Sequence, residues 1–149
     1  MREHERVGGD ALVARILVID DDESIRILLR TVLEPQGYDV VEAENGYAGL
    51  QCYQAEPIDL VITDILMPVM DGVEMITGLQ RDFPWVKIIA ISGGQRALEI
   101  AKTLTPYAFE KPFSLGKLLG TVRELVGAPL SSESAYSAVA VAHHGEVIV

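Results

Sequence analysis

Positive charge is scarce in this chain: 12 Lys and Arg stand against 22 Asp and Glu, a formal net charge of −10. That balance denies it the basic face that binds a phosphodiester backbone, so no direct nucleic-acid partner is expected. Cysteine is nearly missing as well. With Cys52 alone there is no internal disulfide and no Cys/His set of the kind zinc requires. Cys52 sits beside Leu50 and Tyr53 in a helical pattern and reads as a passive, buried or half-buried thiol. No apolar run is long enough to span a bilayer and no signal peptide opens the chain, so a cytoplasmic protein with no membrane partner is expected. What is present is a composition that builds a core. Of 149 residues, 49% are hydrophobic and 23% charged, which fits one globular domain rather than a disordered segment.

The apolar residues fall into short runs separated by helical patterns. Residues 15–19 (RILVI) read as a first strand. A helix follows over about 23–36, capped by Ser24 or Asp22, with Ile25, Leu28, Leu29, Val32 and Leu33 on one face. Residues 38–43 read as the second strand. Asn45-Gly46 resembles a hairpin turn, but 47–54 lacks alternation and reads as a helix with Asn45 as its cap. Residues 58–63 form the third strand, 73–83 a helix, 86–91 the fourth strand, 95–104 a short helix and 107–110 a brief fifth strand. Ser114 caps a last helix over 115–126. Strands alternating with helices five times over imply a parallel sheet covered on both faces, a doubly wound α/β fold. The domain is expected over 15–127. Residues 1–14 read as a flexible leader. Residues 128–149 read as a disordered or loosely packed tail, with an added edge strand or a partner-binding segment as alternatives.

In a parallel sheet the C-terminal strand ends share one edge, where α/β folds place ligands. Asp20 and Asp21 follow the first strand, Asp64 ends the third, Ser92 the fourth, and Lys111 follows the fifth. Each taken singly can be a turn residue; the set on one edge makes that reading poor. Carboxylates crowded together repel and need a counter-charge. Hard oxygen donors suit Mg2+, with Mn2+ possible. Asp64 is then the natural nucleophile toward a phosphoryl group, giving an acyl phosphate. Lys111 and Ser92 supply charge and a hydroxyl to the transferred group.

Four separated motifs carry a resemblance: ILVIDDDESIR at 16–26, DLVITDILMPVMDG at 59–72, IIAISGG at 88–94 and EKPF at 110–113. Together they resemble the receiver domain of two-component response regulators, over roughly 15–126. The resemblance implies a flavodoxin-like five-stranded sheet in the order 2-1-3-4-5, an order for which a member of this family is a standard example. It implies that Asp64 is the phosphoacceptor and that Asp20 and Asp21 bind the metal, Asp21 directly, with Asp64 and the Leu66 carbonyl completing the shell. Ser92 and Lys111 match the family's hydroxyl and lysine, and Pro112 its usually cis proline. The extra acid Asp22 receives no role. The implied donor is a phosphohistidine on a sensor histidine kinase or phosphotransfer protein. No DNA-binding or catalytic domain follows residue 126, so output is expected through a downstream protein partner, a homodimer or onward relay. The chain is expected to be a signalling phosphoacceptor that catalyses only its own phosphorylation and dephosphorylation.

Three features depart from the pattern. Ser92 to Lys111 spans 111 − 92 = 19 positions, which is short and implies a shortened or displaced fourth helix. The position three before the lysine, where the family's switch aromatic lies, is Ala108, flanked by Tyr107 and Phe109. Leu66 and Gly94, two after the acceptor and two after Ser92, offer no polar group to attacking water, so slow loss of phosphate is expected. Three rival readings remain. An aspartate-nucleophile phosphohydrolase wants an acid where Leu66 stands. A flavin module wants hydroxyls or glycines where DDDES stands. A degenerate receiver acting only as an interaction module keeps no need for the full set of side chains present here.

Overall fold

The computed structural model describes residues 13–128. The leader expected over 1–14 and the tail expected over 128–149 lie outside the described residues but for their inner ends. Five strands form one parallel sheet in the order β2-β1-β3-β4-β5: β1 (Arg15–Ile19), β2 (Asp39–Ala43), β3 (Leu60–Asp64), β4 (Ile88–Ser92) and β5 (Ala108–Glu110). The helices between them are α1 (Glu23–Leu33), α2 (Gly46–Ala55), α3 (Gly72–Asp82), α4 (Gln95–Leu104) and α5 (Leu115–Val126). This is the doubly wound sheet expected from the sequence.

The three central strands, β1, β3 and β4, read as apolar runs because each feeds two cores. Side chains alternate across a strand. Ile16 and Val18 of β1, Leu60 and Ile62 of β3, and Ile89 and Ile91 of β4 face one core with Leu29 and Leu33 of α1 and Leu118, Leu119 and Val122 of α5. Leu17, Ile19, Val61, Ile88 and Ala90 face the other, with Tyr53 of α2, Met75, Ile76 and Leu79 of α3, and Ala97 and Ala101 of α4. Fully burying one such aliphatic side chain contributes about 1.5–3 kcal/mol. These two layers make the sheet rigid and leave its loop edges free for chemistry.

Side-chain caps start four of the helices. Asp22 accepts from the Ser24 amide, Asn45 from Ala48, Asp71 from Glu74 and Ser114 from Lys117. Of the two residues considered for α1, Asp22 is the cap, which gives this extra acid a structural role. Several boundaries move. The first helix ends at Leu33 rather than Gln36, because Pro35 turns the chain into a short 3-10 segment (Glu34–Gln36) that Gly37 closes at φ 100°. Strands β3 and β4 start two residues later than the hydropathy suggests, and β2 and β5 one later. Their apolar leading residues, such as Ile58 and Val86, pack against the second core from outside the ladder. Cys52 is half-buried, and burial first, then Glu56, raises its thiol pKa, in keeping with a passive group.

Candidate functional site

Asp20 is the first residue past β1. The ladder holds its amide, which donates to the Ala43 carbonyl at 3.1 Å. Its side chain turns inward, only 1% exposed, and Oδ1 accepts the Asp22 amide at 2.9 Å. Asp64 is the last residue of β3, 6% exposed, and its Oδ1 accepts the Leu66 amide at 3.2 Å. Asp21 stands exposed at the rim. Ligand oxygens of Asp20, Asp21 and Asp64 all lie within 4.8 Å of one another, the one cluster of its kind among the described residues.

Lys111 is the counter-charge. The register that pairs Ser92 with Glu110 puts the next residue over the pocket, where the Lys111 amide donates to the Ser92 carbonyl at 2.7 Å. Its Nζ reaches Asp64 Oδ2 at 3.1 Å and Asp20 Oδ2 at 3.4 Å. The Lys111–Pro112 peptide is cis, and the buried Phe113 ring meets Phe109 edge-on, 6.3 Å between centroids. That contact anchors the segment that carries the lysine to the first core.

The electrostatics of the pocket pull in opposite directions. Burial pushes Asp20 above the ordinary carboxylate range; the Asp22 amide and Lys111 pull the other way, and nearby Asp64 adds to the rise. Burial lowers Lys111, but Asp64 and Asp20 together outweigh it and hold the ammonium above its usual value. Three carboxylates and one ammonium leave −3 + 1 = −2 in the pocket. A hard divalent cation bound by carboxylate oxygens fits that charge and that donor set.

The other expected residues fall at the same edge in different states. Ser92 is fully buried, and its hydroxyl donates to the Phe109 carbonyl at 3.4 Å, not to Asp64. Leu66 touches Asp64 through its amide, and the residue is 61% exposed. Ala108 takes the place expected for a switch aromatic and packs against the second core, whereas Tyr107 and Phe109 pack against the first. The short span from Ser92 to Lys111 is filled by the ten residues of α4 and the three of β5. Arg26 received no role from the sequence, yet its Nη1 donates to the Asp20 carbonyl at 2.7 Å. Its place in the first α1 turns, beside a strand-end acid, is the signal that could have raised it.

Residues 16–123 match the family described as the response regulator receiver domain. Among curated proteins, the chain is 34% identical over 120 residues to the response regulator receiver protein CpdR of Brucella abortus, covering 75% of this chain and 96% of that one. It is 32% identical over 125 residues to the autoinducer 1 sensor kinase/phosphatase LuxN of Vibrio harveyi, covering 83% of this chain but only 14% of that protein. Among solved structures, the response regulator TrrA of Thermotoga maritima, in complex with Mg2+-BeF, superposes with a TM-score of 0.71 at 32% identity, covering 76% of this chain and 99% of that one. The chemotaxis protein CheY4 of Vibrio cholerae gives 0.68 at 27% identity, covering 76% and 98%.

Proposed function

This chain belongs to the response regulator receiver family, and we propose that within it Asp64 takes a phosphoryl group from a histidine kinase or phosphotransfer protein. In that step an Asp64 carboxylate oxygen bonds to phosphorus as the donor's N–P bond breaks, and the departing imidazole takes the bonding electron pair and a proton from solvent. Asp20, Asp21 and Asp64, with the Leu66 carbonyl, would hold Mg2+, or Mn2+ in its place. Bound there, the ion would offset the pocket's charge and the charge on the incoming phosphoryl oxygens. The Mg2+-BeF complex of the Thermotoga maritima relative supports that assignment. Lys111 exchanges its contact with Asp20 and Asp64 for the new phosphoryl oxygens. The Ser92 hydroxyl, by leaving the Phe109 carbonyl, donates to them as well. Both movements pull on the β4–β5 pair, so the output surface is the face around α4 and β5.

The observation that carries the reading is the lysine set between two buried acids, 3.1 and 3.4 Å away, on the edge where three carboxylates meet. No helix of the described residues is long and apolar enough to cross a membrane. A cytoplasmic phosphohistidine donor is part of the same proposal. The output is carried by a protein partner, a homodimer or onward phosphate relay, and the chain turns over no external substrate. The test is intact mass after acetyl phosphate and Mg2+. One added phosphoryl group is expected, absent in Asp64→Asn. No gain, or a gain that survives the substitution, overturns the assignment.

A further inference from the structure

We propose that Arg26 is a positioning residue: it fixes the main chain of Asp20 so that the acid pair faces the metal position. The proposal rests on the reading of the pocket as an Mg2+ site. The β1 ladder pairs residues only as far as Ile19, so the Asp20 carbonyl lies beyond it and needs another donor. Arg26 supplies one, Nη1 to O at 2.7 Å. The same guanidinium is aimed by Glu42 of β2, which takes Nε at 3.2 Å. The next turn of α1 completes the clamp, with Arg30 Nε on the second Glu42 oxygen at 2.6 Å and Arg30 Nη1 on Glu34 at 2.9 Å. Arg26 is the more buried of the two arginines, its side chain 14% exposed against 36% for Arg30. Asp20 is therefore held at both ends of its backbone, by Ala43 at the amide and by Arg26 at the carbonyl. A planar fork spans a carbonyl and a carboxylate at once, whereas a lysine ammonium does so poorly.

Charge and position make opposite demands here. Removing a cation near a cation site should by charge alone tighten Mg2+ binding. Losing the group that orients a ligand loosens it, typically by tenfold or more. Calorimetric titration of the full chain with Mg2+ separates them. For Arg26→Ala the Mg2+ Kd is expected to rise about tenfold, and Arg26→Lys should recover only part of the loss. Arg30→Ala breaks two ion pairs, including one on the same Glu42, and is expected to stay within about twofold of wild type, because exposed pairs are worth little. Melting midpoints in EDTA confirm that each variant is folded, and Arg26→Gln replaces the alanine variant should that one not fold. Acetyl phosphate labelling should lag for Arg26→Ala at limiting Mg2+ and recover at saturating Mg2+. Equal or tighter Mg2+ binding by Arg26→Ala overturns the proposal, as does an equal loss in Arg30→Ala. A wild-type chain that takes up no Mg2+ overturns the metal site itself and this proposal with it.

Discussion

Gly72 tests whether the pocket depends on how closely α3 approaches β3. It is the first residue of α3, and its amide donates to the Ile65 carbonyl at 2.8 Å. A Cβ added there would meet the Asp64 carbonyl oxygen at 2.5 Å and the Ile65 Cα at 2.7 Å, both main-chain atoms. Ordinary contact begins at 3.4 Å, so 3.4 − 2.5 = 0.9 Å of backbone movement is needed beside Asp64 itself. Over-packing of this kind costs about 1–3 kcal/mol. At about 4 °C per kcal/mol for a domain of this size, Gly72→Ala should lower the melting midpoint by about 4–12 °C. Displacing the loop that carries the Leu66 amide should also slow acetyl phosphate labelling by at least about tenfold. Gly78, on the same helix, has nothing within 4 Å of its added Cβ. There the helix propensity of alanine acts alone, and Gly78→Ala should stabilise by about 0.5–1 kcal/mol. Thermal melts of the two variants against wild type, with labelling rates, give the result. Equal midpoints for Gly72→Ala and wild type, or a fall in Gly78→Ala as large as in Gly72→Ala, would refute the close-approach argument.

Three further outcomes are expected. Asp20, raised by burial in the folded state, holds its proton more tightly than in the unfolded chain, so its contribution to stability falls as pH rises from the ordinary carboxylate value of 3.8 toward the raised one. In EDTA, Asp20→Asn should therefore melt above wild type at neutral pH, with the gain shrinking in acid; a lower midpoint at neutral pH would sink the argument. Phosphorylated protein should lose its phosphate over minutes or longer in Mg2+, and Leu66→Asn should shorten that lifetime about tenfold by giving attacking water a partner; decay in seconds by the wild type contradicts this. Val69 is 83% exposed and sits at φ 71°, a conformation that costs a β-branched residue about 1–2 kcal/mol. Val69→Gly should gain about 0.5–1 kcal/mol in a chemical-denaturation series, and a destabilised variant would contradict the strain.

The elements were legible because the three central strands are buried on both faces, which writes them as short apolar blocks, and because caps such as Asn45 and Ser114 sit where the helices begin. The ends were less so. Hydropathy reports burial, not pairing: Ile58 and Val86 are apolar because they pack under the sheet, yet they donate no ladder register of their own. The acids and Lys111 were legible because strand order forces them onto one edge. Arg26 was not, because its part depends on a main-chain carbonyl left over where β1 stops pairing. A sequence names side chains, and this contact is to a backbone atom. The partner of the Ser92 hydroxyl was hidden for the same reason, since it is the carbonyl of Phe109.

The pocket also shows how the fold can tolerate a group that works against it. Asp20 and Asp64 sit nearly out of water, where an unpaired carboxylate is costly. Each is held by a main-chain amide that only a proline substitution would remove: Asp22 for one, Leu66 for the other. Lys111 is shared between them rather than given to either. Shared, it leaves both carboxylates partly satisfied and a formal charge of −2 over the three acids and the ammonium. The two aliphatic cores, one on each face of the sheet, supply the stability that this arrangement withholds, and the three central strands that feed both are apolar for that reason up to the polar residues at their ends.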